Sequence, residues 1–266
     1  MRTIIVSLLI LCFALFHQPV FASSTDLYQE YLSQFDKYRV ILNDFKVARS
    51  EYLKYKTLTS EQSALEASRS ILAQRALLLR SYLQFLSEKL KENNYMDPSN
   101  KTLFTTLITN EINFLESNSG LMTSVSSIED TEGASQQLTS HYTILQSSIF
   151  QTIVGLKSAD LIKLDGEYYQ LFTKTYDLFQ ANRGTYAPEK QSTMDRWFLQ
   201  IQNKRSLYQQ KMDTIKKEND TLKSSSMDEI NTTFATIQKE FMEARQYLGE
   251  GSAYLQEVIT ALQYRD

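Results

Sequence analysis

Met227, Phe234, Phe241, Leu248, Leu255 and Leu262 stand seven residues apart, and Ile230, Ile237, Ala244, Gly251 and Val258 repeat in phase between them. Two interleaved apolar series of this period form the a/d stripe of a long amphipathic helix. At 1.5 Å per residue, Met227 to Leu262 would extend roughly 53 Å. Gly249 and Gly251 fall inside the stripe, but the register carries through them. They read as points of close backbone approach or a mild kink rather than as a helix end. Ser226 with Glu229 three residues later supplies a capping-box start.

The same logic covers most of the chain. Only 7 glycines and 3 prolines occur in 266 residues, well below the roughly 7% and 5% of average proteins, so a turn-rich all-β fold is disfavoured. Tyr28, Phe35 and Leu42 fall seven apart, as do Tyr31, Tyr38, Phe45 and Tyr52, with Arg49 the one polar residue on this seam. Thr59 and Gln62 suggest a capping box for the next helix, which carries Leu65, Leu72, Leu79 and Leu86 with Ala76, Leu83 and Leu90. Asp97-Pro98 opens a third, the carboxylate capping and the proline at the first helical position. Its stripe runs through Phe104, Ile108, Ile112 and Leu115 to Gly120.

The middle is less regular. Glu129 to Gly133 reads as a solvated turn after a short apolar stretch, and Gly155 or Asp165-Gly166 suggests a break between two helices before Gly184. After Pro188 the stripe resumes with Met194, Phe198, Ile201, Tyr208, Met212, Ile215 and Leu222, Arg205 and Asn219 taking the two skipped seam positions. Short connections between long stripes favour antiparallel neighbours. The expectation is an all-α, elongated antiparallel bundle of about six long helices with coiled-coil-like packing over residues 23–266, with subdivision possible near 120–135 and 183–188.

Residues 1–22 stand apart. Met1-Arg2, an apolar run from Thr3 to Phe16, and Val20-Phe21-Ala22 before Ser23 have the layout of a secretory signal peptide. The apolar run would span only about 21 Å as a helix, short of the roughly 30 Å hydrocarbon core, so an uncleaved anchor is the alternative. No later segment is long and apolar enough to span a bilayer, so the protein is expected to be secreted or periplasmic, with no membrane span once the leader is removed. The net charge of −3 offers no electrostatic footprint for nucleic acid.

Chemistry narrows by subtraction. The single cysteine, Cys12, lies in the leader, and beyond it there is one histidine, His141. Cysteine nucleophiles, Cys/His zinc sites and paired Glu-x-x-His di-iron sites are therefore out of reach. A serine triad could draw only on His141, whose place near a helical stripe equally suits a structural role. Gly249-Glu250-Gly251 follows no strand, so it is not a phosphate loop. No cofactor and no metal are expected. Asn100, Asn219 and Asn231 begin sequons, a number close to chance.

Sixteen tyrosines are the compositional oddity, and Tyr28, Tyr31, Tyr38, Tyr52 and Tyr55 crowd one helix. Tyrosine gives large contact area at low entropic cost and keeps a polar tip, which suits a binding face, although the same rings can fill a wide core. Arg49 and Arg205 on seam positions either find carboxylates and fix register or face a partner. These seven residues are the candidate interaction set. The expected function is a non-enzymatic structural or interaction protein whose helix faces engage a protein partner or a second copy. A module holding an apolar or aromatic ligand between its helices is the alternative, and a carboxylate-dependent enzyme a distant third.

Overall fold

The computed structural model describes residues 23–121, 124–224 and 226–263, so the leader assigned to 1–22 lies outside the described residues. Six helices make up nearly all of it: α1 (Ser24–Tyr55), α2 (Leu58–Glu92), α3 (Pro98–Leu121), α4 (Ile128–Asn182), α5 (Pro188–Thr221) and α6 (Met227–Gln263). No strand occurs among the described residues, and the helices pack as an all-α bundle of antiparallel neighbours.

Local chemistry sets where the helices start and stop. Ser23 caps α1, its Oγ accepting from the Asp26 N–H while Asp26 accepts from the Ser23 N–H at 3.1 Å. At the other end Lys56 turns into the left-handed region (φ 50°) and donates its N–H to the Tyr52 carbonyl at 2.9 Å. That αL residue reverses the chain at once. Thr57, not Thr59, then caps α2: its Oγ1 accepts from the Ser60 N–H at 3.2 Å and Ser60 Oγ accepts from the Thr57 N–H at 3.0 Å. The box expected at Thr59 and Gln62 is displaced because serine at the third position closes the same reciprocal pair two residues earlier, which leaves a turn of only Lys56 and Thr57. Asp97 caps α3 as expected, accepting from the N–H groups of Ser99 and Asn100 with Pro98 next to it. Ser226 and Glu229 form the expected box on α6.

The centre corrects two expectations. Glu129 to Gly133 is not a solvated turn but the first turn of α4. Ser127 Oγ accepts from the Asp130 N–H, and the Asp130 carboxylate takes the N–H groups of Ser126 and Ser127. Nor do Gly155 and Gly166 divide the helix: α4 runs unbroken for 55 residues, about 82 Å. Each glycine costs roughly 1 kcal/mol of helix propensity, and packing along both halves of α4 overrides it. Gly155 also lets α3 pack closely, because a Cβ there would stand 2.2 Å from Cε2 of the Phe104 ring.

α4 is the shared spar. Its first half packs with α2 and α3 around Leu83, Leu90, Ile108, Leu115, Leu138 and Leu145. Its second half packs with α5 and α6 around Phe179, Met194, Phe198, Tyr208, Leu248 and Leu255. Val154, Ile215, Leu222, Ile230 and Ile237 join the two regions. On α6 every member of the Ile230 series is buried, Gly251 included, where a Cβ would meet the Tyr168 hydroxyl at 2.4 Å. The sequon asparagine Asn219 is also buried, its Nδ2 directed at the Gln151 carbonyl at 3.5 Å.

α1 is the exception to core packing. Among the described residues its main packing is against α2, as an antiparallel flank, and Ser24 is its only buried residue. Ser24 N and Oγ donate to Glu92 at 3.1 and 2.7 Å, fastening the open end of the hairpin and holding the Glu92 carboxyl below the usual carboxylate range.

Candidate functional site

On α1 the series Tyr31, Tyr38, Phe45 and Tyr52 is half-buried throughout, and of the other series Leu42 is half-buried and Tyr28 touches Phe85 of α2. Tyr28 and Phe35 nevertheless lie at the edge, each 41% exposed. A single neighbour can meet an a/d stripe, yet among the described residues α2 leaves part of this one uncovered. Leu32, Val40, Val47 and Leu53 are exposed as well, an amount of uncovered apolar surface that marks interaction sites on soluble proteins.

Beside this edge, α1, α2 and the first turns of α4 enclose a groove of about 420 Å³. Tyr38, Leu42, Phe45, Tyr52, Ile71 and Leu72 supply its apolar surface. Its charged residues are Arg49 from α1, Arg75 from α2 and Glu132 from α4. Neither arginine has a carboxylate within ion-pair distance among the described residues. Two free guanidinium groups over an aromatic floor suit a carboxylate-bearing, apolar surface, since arginine pairs with carboxylates in a fixed fork and also stacks on rings.

The seven candidate residues thus divide. Tyr38, Arg49 and Tyr52 meet in the groove. Tyr28 and Tyr31 belong to a ring cluster with Tyr82 and Phe85 of α2, Tyr31 and Tyr82 having centroids 5.1 Å apart. Burial, and then the neighbouring Tyr31 and Tyr28, push the Tyr82 hydroxyl pKa up. Tyr55 sits exposed at the end of α1 with the Lys54 ammonium 4.8 Å above its ring. Arg205 lies in a different place: it grips Asp165 of α4 in a forked pair at 2.8 and 2.9 Å and covers the Tyr169 ring at 3.9 Å. Its geometry is that of a strut between α4 and α5. Arg75 and Glu132 were not legible as site residues. Arg75 lies beside the Leu72 and Ala76 series rather than on a seam position as Arg49 does, and Glu132 lies in the segment read as a turn.

His141 has a defined setting. Its Nε2 lies 2.7 Å from Oε2 of Glu111, whose other oxygen accepts from Ser148 Oγ at 3.2 Å, and its ring stacks on Phe114 with centroids 3.6 Å apart. Glu111 is 3% exposed. A serine nucleophile needs the imidazole against its hydroxyl, but here the carboxylate stands between them. The constellation therefore satisfies a buried charge between α3 and α4 rather than activating Ser148. Among the described residues, no group of three or more His, Cys, Asp or Glu side chains is arranged to hold a metal ion.

Comparison of the chain with protein-family models, with characterised proteins and with solved structures returned no match.

Proposed function

We propose that the protein is an exported interaction protein whose groove between α1, α2 and the start of α4 receives an amphipathic helix of a protein partner. The observation that carries this reading is α1 itself, whose aromatic stripe lies against α2 but stays partly uncovered among the described residues, with Tyr28 and Phe35 each 41% exposed. A helix laid in the groove would supply the missing side, the usual mode for an apolar helix face. Arg49 and Arg75 commit the occupant to carboxylates flanking its apolar ridge. Export rests on the leader-like layout of residues 1–22. A non-enzymatic role is supported by the placement of Glu111 between Ser148 and His141.

A photoreactive residue at Leu53, on the groove, and another at Met242, exposed on α6, test this in the producing cells. The expected result is one discrete adduct from position 53 that is absent from position 242 and weakened by Arg75→Glu. Its crosslinked peptide should be a helix carrying Asp or Glu beside apolar residues. The same adducts from both positions, or none from position 53, would overturn the reading. Adducts only between copies of this chain would replace the partner by self-association.

A further inference from the structure

A second cavity, separate from the groove, opens where α3 begins, α4 passes its midpoint and α5 approaches its end. It measures about 360 Å³, more than twice the ~150 Å³ that accommodates benzene in an apolar protein cavity. Met96, Leu103, Phe104, Val154, Ile162 and Met212 give it apolar walls. Gly155 also lines it, and the missing side chain there is what lets the Phe104 ring lie flush with α4.

The polar groups of the cleft are unevenly charged. Asp97, Asp165, Asp213 and Asp220 line it against a single cation, Lys216. Asp165 is already occupied by Arg205. Asp97 caps α3, and its hydrogen bonds to Ser99 and Asn100, with the Lys216 charge nearby, hold it ionised below the usual carboxylate range. Asp213 and Asp220 have no partner among the described residues. Lys216 makes no ion pair within 4 Å there either, so after Asp165 is set aside three carboxylates face one ammonium. Deeper in, Asn219 is only 9% exposed, and its Oδ1 is buried with no hydrogen-bond donor. An orphaned buried acceptor calls for a donor, because a polar atom taken out of water without a partner is destabilising.

We propose that this cleft is a binding site for a compact apolar molecule carrying an ammonium group. The apolar body lies against Met96, Phe104, Val154 and Met212, and the cation faces Asp213 and Asp220. Its N–H groups replace water on the exposed Asp213 and Asp220 carboxylates, and a turn of the Asn219 side chain, whose buried Oδ1 has no donor, brings that oxygen to them as well. Neutral ligands of the same shape gain only the apolar contact, and anions meet the acidic rim. This inference does not rest on the groove, and its failure leaves the groove untouched.

Three matched probes test it on the intact protein: naphthylmethylammonium, naphthylmethanol and naphthoate. Methyl-labelled methionine provides the readout, because Met96 and Met212 line the cleft whereas Met194 and Met242 do not. The expected result is movement of the Met96 and Met212 signals alone, with the ammonium binding at least tenfold more tightly than the alcohol and the acid weakest. Asp213→Asn with Asp220→Asn should reduce the ammonium to the affinity of the alcohol and leave the alcohol unchanged. Ile162→Trp, at an exposed position on the mouth, should weaken both, with circular dichroism verifying the fold. Unmoved Met96 and Met212 signals, equal affinities for the three probes, or a D213N/D220N variant that keeps its preference would each overturn the proposal.

Discussion

Replacing Gly155 by alanine separates two effects that act in opposite directions on α4. Alanine gains roughly 1 kcal/mol over glycine in a helix interior. At position 155, however, the new methyl would stand 2.2, 2.7 and 2.8 Å from three atoms of the Phe104 ring. Carbon atoms rest at about 3.5 Å or more, so the ring must withdraw by about 1.3 Å. Phe104 is almost fully buried, and forcing a packed core to accept an extra methyl costs about 1–3 kcal/mol. Gly166 is the control on the same helix, because a Cβ there meets nothing within 4 Å. G166A should therefore stabilise the protein by about 0.5–1 kcal/mol, and G155A should fall about 1–3 kcal/mol below it. Urea unfolding followed by far-ultraviolet circular dichroism measures both. Shrinking the ring should relieve the clash, so G155A combined with Phe104→Leu should lose less stability than the sum of the separate changes. Equal stability of G155A and G166A would refute the close contact between α3 and α4.

Lys56 holds a left-handed conformation that costs a residue with a Cβ about 1 kcal/mol or more. Lys56→Gly should therefore raise the unfolding midpoint, by up to about 1 kcal/mol after the looser unfolded chain is counted. His141→Ala strips the buried Glu111 carboxylate of its nearest partner and should destabilise by about 1.5–3 kcal/mol, read by the same unfolding assay. Backbone and side-chain hydrogen bonds at helix starts hold Asp97, Asp130 and Glu229 below the usual carboxylate range. The stability they contribute is complete above the unfolded carboxylate pKa of about 4 and disappears as pH falls through their lowered folded values. Thermal midpoints measured down the acid limb should show this loss, and Asp130→Asn should flatten it.

How far the fold could be read ahead differs from helix to helix, for physical reasons. α6 was fully legible because it is enclosed: Ile230, Ile237, Ala244, Gly251 and Val258 repeat at heptad spacing and are all buried. α1 carries an equally regular repeat, yet its Tyr28 and Phe35 edge stays exposed. Periodicity reports which residues share a face and says nothing of how many neighbours that face meets. The continuity of α4 escaped because Gly155 and Gly166 are locally unfavourable, and the packing that overrides them comes from α2 and α3 on one half and from α5 and α6 on the other. Tyr38, Arg49 and Tyr52 could be nominated from α1 alone. The groove they line also takes Arg75 and Glu132 from elements far away in sequence, and no local pattern brings those together.

The groove and the ligand cleft draw walls from the same helix. Ser135 borders the first and Gln151 the second, 16 residues apart on α4, which sets them about 24 Å apart along its axis. No loop intervenes between these positions. They are graduations on one ruler: while the helix stays unbroken, the interval between the two marks is fixed.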